Sequence, residues 1–263
     1  MSGRWFTLRR EDASDNPLVG LHYRPKARGI IRLSPHCVSQ FSLTLYVVSS
    51  LAVWHIIYNR RTEFYWITDS QLWALIRTNQ VFLGICLTIP LWHCARGWSK
   101  LRELLSDSPT PLSTRSILFA GTLFWARLIT TFMLLNFICS YMQWLSIVWW
   151  FAEPLSHAGF LLTFLQRLAF ILFVTCATSL AALRWTSPWP ALGVAAFGSI
   201  VSGFWWDSGA VAWTVYSVWR LIIGSSPAAP LALFVDSCVG FAVYSLAALW
   251  CWGALKRLVR EKF

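Results

Sequence analysis

The chain has 263 residues, of which 57% are hydrophobic and 13% charged, with a formal net charge of +11. That length suits one or two soluble domains, but the composition points to a polytopic membrane protein instead. Continuous apolar runs without period-two alternation disfavour a membrane β-barrel, and bases placed beside those runs disfavour a nucleic-acid partner.

Residues 1–36 carry seven bases with Pro17, Gly20, Pro25 and Gly29 and no sustained apolar face, so they read as a basic extra-membrane arm. No short apolar core begins near Met1, and no cleavable secretory signal is expected. Residues 37–255 read as the transmembrane helical domain, and residues 256–263 as a basic tail. The first span is expected at about residues 40–58 and the second at about 78–95, each long enough to cross roughly 30 Å of hydrocarbon as a helix. The loop between them holds Arg60, Arg61, Glu63 and Asp69 beside the interfacial cluster Phe64, Tyr65 and Trp66.

After the second span, Arg96 to Glu103 followed by Pro109 and Pro111 suits a short surface helix with a basic face on lipid headgroups. The third span is expected at about residues 116–138. A Trp-rich piece follows, with Trp144, Trp149 and Trp150 and no base until Arg167, expected to be re-entrant or to lie along the membrane surface. The fourth span covers about residues 156–183. Pro188 and Pro190 turn the chain into a fifth at about 191–206, where Gly193, Gly198 and Gly203 lack the close-packing G-x-x-x-G spacing. A second Trp-rich piece, a polar break at residues 224–227 and a last span at about 231–253 complete the chain.

The expected fold is therefore all-α, with about six transmembrane helices. Sidedness follows from the bases: sixteen fall in the arm, the 96–115 loop, Arg184 and the tail, whereas only Arg60, Arg61, Arg77 and Arg220 fall across the membrane. Lys and Arg concentrate on the non-translocated side, so both termini are expected there. The seven cysteines are scattered without a C-x-x-C pair and read as small packing residues.

With this topology Glu153, His157, Asp207 and Asp236 fall toward the base-poor face and form a candidate polar pocket. A His beside a carboxylate suits a general base, with Ser156 as nucleophile; the alternative is solvated loop acids and a helix-end His. Arg127 and Arg167 each lie about ten residues into a span, near mid-membrane, where a charge needs a partner: a carbonyl, a lipid phosphate, Asp236 or another subunit. Arg96, Lys100, Arg102, Lys256 and Arg257 are the other expected lipid or partner contacts. His55 with His157, and His36 with His93, lie at matching depths as a b-type haem would need, though His55 and His93 equally suit interfacial residues. No nucleotide, zinc-protease or α/β-hydrolase motif occurs, and neither a metal site nor a resident cofactor is expected.

Residues 155–157 followed by a span, the Pro188-led helix ending at Trp206, and the aromatic stretch from Trp213 to Trp219 resemble the androgen-induced/rolling-stone-like family of six-span membrane proteins. The resemblance implies an intramembrane lipid-ester hydrolase in which His157 matches the family's His. The family's Thr has no direct match, leaving Ser34 or Thr44 as the hydroxyl, and Ser156 stands where the family has Asn. The expected function is an accessory subunit contacting lipids within a larger membrane complex, not an enzyme. The hydrolase using His157 with Ser34, Thr44 or Ser156 is the alternative, and a haem electron carrier stands behind it. Membrane lipids, a bound phospholipid such as cardiolipin and other membrane subunits are the expected partners. The mitochondrial inner membrane is the favoured location, with the endoplasmic reticulum or plasma membrane as alternatives.

Overall fold

A computed structural model describes residues 35–59, 69–106, 113–151, 157–185, 189–204 and 229–262. These form six helices and no strand. Helix α1 is Pro35–Asn59, opening on a proline whose missing N–H costs nothing at a helix start. Helix α2 is Asp69–Ser106 and carries Pro90 within it, as membrane helices tolerate when neighbours satisfy the freed carbonyl. Helix α3 spans residues 114–151 in three parts: Thr114–Leu118, a π turn over Phe119–Leu123, and Phe124–Phe151. Ser113 caps it, its hydroxyl accepting from the Ser116 N–H at 3.2 Å. Helix α4 is His157–Arg184, α5 is Trp189–Phe204 and α6 is Ala229–Lys262.

Helices α2 and α4 form the centre. Helix α4 packs against α6, α5, α2 and α3, while α2 also meets α1 and α5. Two apolar clusters hold the bundle. One joins Leu43 and Tyr46 of α1, Leu83, Leu87 and Leu91 of α2, Ile129 and Met133 of α3, and Ile171 and Val174 of α4. The other gathers the C-terminal half of α2 (Trp98, Leu101), the start of α3 (Ile117, Leu118), the end of α4 (Ala182, Leu183) and the end of α6 (Leu255, Val259). Its pivot is Trp98, fully buried, whose indole lies flat against Gly121 in the π turn and donates to the Thr122 hydroxyl at 3.2 Å. Only a residue without a side chain lets the ring approach α3 so closely.

Four helices are long and apolar enough to cross a membrane: Cys37–Asn59, Thr114–Gln143, Phe164–Arg184 and Cys238–Lys262, with Trp189–Gly198 a shorter apolar helix. Large apolar side chains such as Phe41, Phe197, Leu246 and Trp250 stand outward, as they do where acyl chains are the solvent.

Three local expectations change. Residues 96–103 are not a separate surface helix but the continuation of α2, the 139–151 piece is the straight extension of α3, and residues 256–262 continue α6. A single glycine such as Gly97 or Gly253 disfavours helix by about 1 kcal/mol. Continuing the helix buries Trp98 and Leu101 beyond the first and Leu255 and Val259 beyond the second, and burial of such side chains contributes about 1.5–3 kcal/mol each.

Candidate functional site

A polar layer crosses the half of the bundle away from the second cluster. On α1, Ser49 donates to Asn79 Oδ1 of α2 at 3.0 Å, and Asn79 returns a bond from Nδ2 to the Ser50 hydroxyl at 2.9 Å. On α3, Gln143 donates from Nε2 to the Ser50 carbonyl at 2.8 Å. One turn deeper, Tyr46 donates to Asn136 Oδ1, which also accepts from Ser140 at 3.3 Å. All of these but Ser49 are buried. Each amide thus ties α1 to a neighbouring helix where no water competes.

Arg167 enters this layer from α4. It is buried, at 3% exposure, and lies within electrostatic reach of the Tyr46 hydroxyl. Among the described residues no Asp or Glu faces it from α1, α3, α4 or α5, and the only described acid on α2 besides Asp69 is Glu103, at its opposite end. The layer is therefore a cationic, amide-lined interior.

Arg127 goes the other way. Although it sits in the middle of the apolar Thr114–Gln143 segment, its side chain is exposed on the outside of α3 and meets no hydrogen-bond or ionic partner among the described residues. The two mid-span arginines, alike in sequence, thus face opposite environments.

Alternation of the helices brings the remaining described bases to one end. Arg96, Lys100 and Arg102 of α2, Arg115 of α3, Arg184 of α4, and Lys256, Arg257, Arg260 and Lys262 of α6 share it. Two of them close the C-terminus of α4: Arg102 donates to the Trp185 carbonyl and Lys262 to the Leu183 carbonyl, each at 3.1 Å. A helix C-terminus carries unpaired carbonyls and a partial negative charge, which cations satisfy. Arg96 lies over the Trp92 ring, 5.8 Å from its centroid.

The remaining expected residues are dispersed or unplaced. Ser34, Glu153, Ser156 and Asp207 lie outside the described residues, as do the arm up to residue 34 and the second Trp-rich piece. His157 opens α4 and Asp236 lies two turns into α6. Thr44 is exposed on the outside of α1. His55 is exposed beside Asn59, while His93, at the other end of the bundle, stacks on Trp125 at 6.1 Å. No group of three or more His, Cys, Asp or Glu side chains converges among the described residues.

The layer's own members, Tyr46, Asn79, Asn136 and Gln143, went unread in the sequence. Their signal was available: an amide inside an apolar run, as at Asn136 between Leu135 and Phe137, marks a side chain that must find a partner on another helix. No protein-family model matches the chain, and no curated protein or solved structure matches it.

Proposed function

We propose that this protein is an accessory subunit of a larger membrane assembly, crossing the bilayer six times with both termini on the side of its basic end. Arg127 carries the proposal. At 1.5 Å per residue it stands about 20 Å along α3 from Thr114 and about 24 Å from Gln143, the middle of the apolar segment. An arginine at that depth costs about 2.5–3.5 kcal/mol on insertion scales, and more if it faces bare hydrocarbon. A chain that lived alone in lipid would have little reason to hold it outward. A neighbouring subunit removes the cost.

The basic end supports a second element of the proposal. Nine bases at one end suit a leaflet rich in anionic lipid such as cardiolipin, as in the mitochondrial inner membrane, each contributing about 1 kcal/mol near a charged surface. A mild-detergent native gel of the source membranes, with mass spectrometry of each band that holds this chain, tests the proposal. Co-migration with other polypeptides is expected. Recovery only as a free monomer overturns it.

A further inference from the structure

We infer that the outward face of α3 seats a transmembrane helix of a different polypeptide, one that carries an aspartate or glutamate at the depth of Arg127. The assignment rests on the subunit proposal and names the surface and the chemistry of the partner.

Leu123, Arg127, Thr131, Leu134, Ile138 and Leu145 are all exposed along α3. From Arg127 onward their positions, with half-buried Tyr141 between the last two, step by four and three residues alternately. That alternation is the seam of a helix meant to lie against another helix, since it keeps one stripe in register with a partner at a shallow crossing angle. The outer face of α6 differs. Its exposed side chains Val239, Phe241, Val243, Leu246, Leu249 and Trp250 include no charge and follow no such step, which suits acyl chains.

Charge complementarity then selects the occupant. Thr131 donates its hydroxyl to the Arg127 carbonyl at 3.0 Å, so the guanidinium is the one group of the seam still offering donors outward. A guanidinium presents a planar fork that a carboxylate meets with two parallel hydrogen bonds, the pairing best suited to removing a charge from hydrocarbon. A lipid phosphate is too far, because Arg127 stands near the middle of its segment and headgroups lie beyond both ends.

A second copy of this chain does not supply the carboxylate. Within the six helices its acids are Asp69, Glu103, Asp236 and Glu261, and only Asp236 is away from an end. Leu118 and Leu255 share a buried cluster and so mark one level of the bundle. Arg127 lies nine residues above Leu118 and Asp236 nineteen above Leu255, a difference of about 15 Å in depth. A two-fold axis along the membrane normal preserves depth, so the two groups cannot meet between copies.

The test uses the full chain, tagged, in its native membranes. A photo-crosslinking amino acid replaces Leu134 or Ile138 on the seam, or Leu246 on α6 as the control face, with Arg127 intact. Seam positions are expected to form an adduct with one other polypeptide, and mass spectrometry of the adduct to place the link on an apolar helix with an Asp or Glu. Arg127→Glu is expected to lower recovery of that polypeptide by at least about tenfold, equivalent to about 1.4 kcal/mol. Arg127→Lys, which keeps the charge, is expected to retain it, and a reciprocal acid-to-arginine change in the partner to rescue Arg127→Glu.

Adducts from Leu246 alone overturn the inference, as do seam adducts with lipid only or with a second tagged copy, and so does unchanged recovery with Arg127→Leu. In each of the first two cases an intact assembly on the native gel leaves the subunit proposal standing. A free monomer overturns both. The crosslinks carry the test even if a charge variant fails to accumulate.

Discussion

Tyr46 on α1 donates its phenolic hydrogen to Asn136 on α3, a buried contact between residues 90 positions apart. Because Asn136 also accepts from Ser140, it serves two donors with one oxygen. Asn136→Leu leaves both hydroxyls seeking partners and is expected to cost about 1–3 kcal/mol. Tyr46→Phe removes one bond and is expected to cost about 0.6 kcal/mol, near the average for interhelical bonds in membranes. Unfolding titrations of the two single variants and the double variant check this, the cycle giving a coupling energy of the same sign and order as the Tyr46→Phe cost.

Gly121 and Gly193 are predicted to respond oppositely to the same substitution. A methyl at 121 meets the rigid indole of Trp98, whereas one at 193 meets nothing within 4 Å. Overpacking of that kind costs about 1–3 kcal/mol, while alanine in an unobstructed helix gains up to about 1 kcal/mol over glycine. Thermal denaturation in detergent should therefore lower the midpoint for Gly121→Ala and leave it equal or higher for Gly193→Ala.

Gln166 offers a stabilising change. It is 1% exposed, its Nε2 has no hydrogen-bond partner among the described residues, and its side chain fills the space over Gly240 of α6. Methionine keeps the length and removes the unsatisfied donor, so Gln166→Met is expected to be neutral or to stabilise by up to about 1–2 kcal/mol. A drop in the unfolding midpoint comparable with that of Gly121→Ala would sink the idea.

The basic end predicts a lipid response. Added cardiolipin should raise the unfolding midpoint of the purified protein, and the rise should shrink when Arg96, Lys100, Lys256 and Arg257 are changed together to Gln. Each base is worth about 1 kcal/mol at an anionic surface at moderate ionic strength, so the difference between wild type and variant should fade in high salt. An equal response from zwitterionic lipid would assign the effect to acyl chains instead.

Length and hydropathy made the helices legible in the sequence, because an apolar run of about 20 residues leaves the backbone few alternatives in lipid. Pro188 and Pro190 placed the start of α5 to within two residues. Helix ends outside the apolar runs were not legible: the cue for breaking α2 at Gly97 is local, whereas the reason it continues is the distant pocket that Trp98 fills. Facing was equally hidden. Arg127 and Arg167 have similar sequence surroundings, and only the packing of α4 between α2, α3 and α6 turns one inward and leaves the other out.

The π turn at Phe119–Leu123 has a consequence for how this molecule could change over time. Its Phe124 N–H reaches back to the Phe119 carbonyl, five residues away, so the ladder there holds one residue more than a regular turn. Each residue of an α-helix advances the azimuth by about 100°. Losing one residue at that spot would restore an ordinary helix and swing everything from Phe124 onward by about that angle. Trp98 would keep its seat against the first turns of α3, but Arg127, Asn136 and Gln143 would all point elsewhere. A single-codon deletion there would thus exchange lining for surface along some 28 residues without altering any of them.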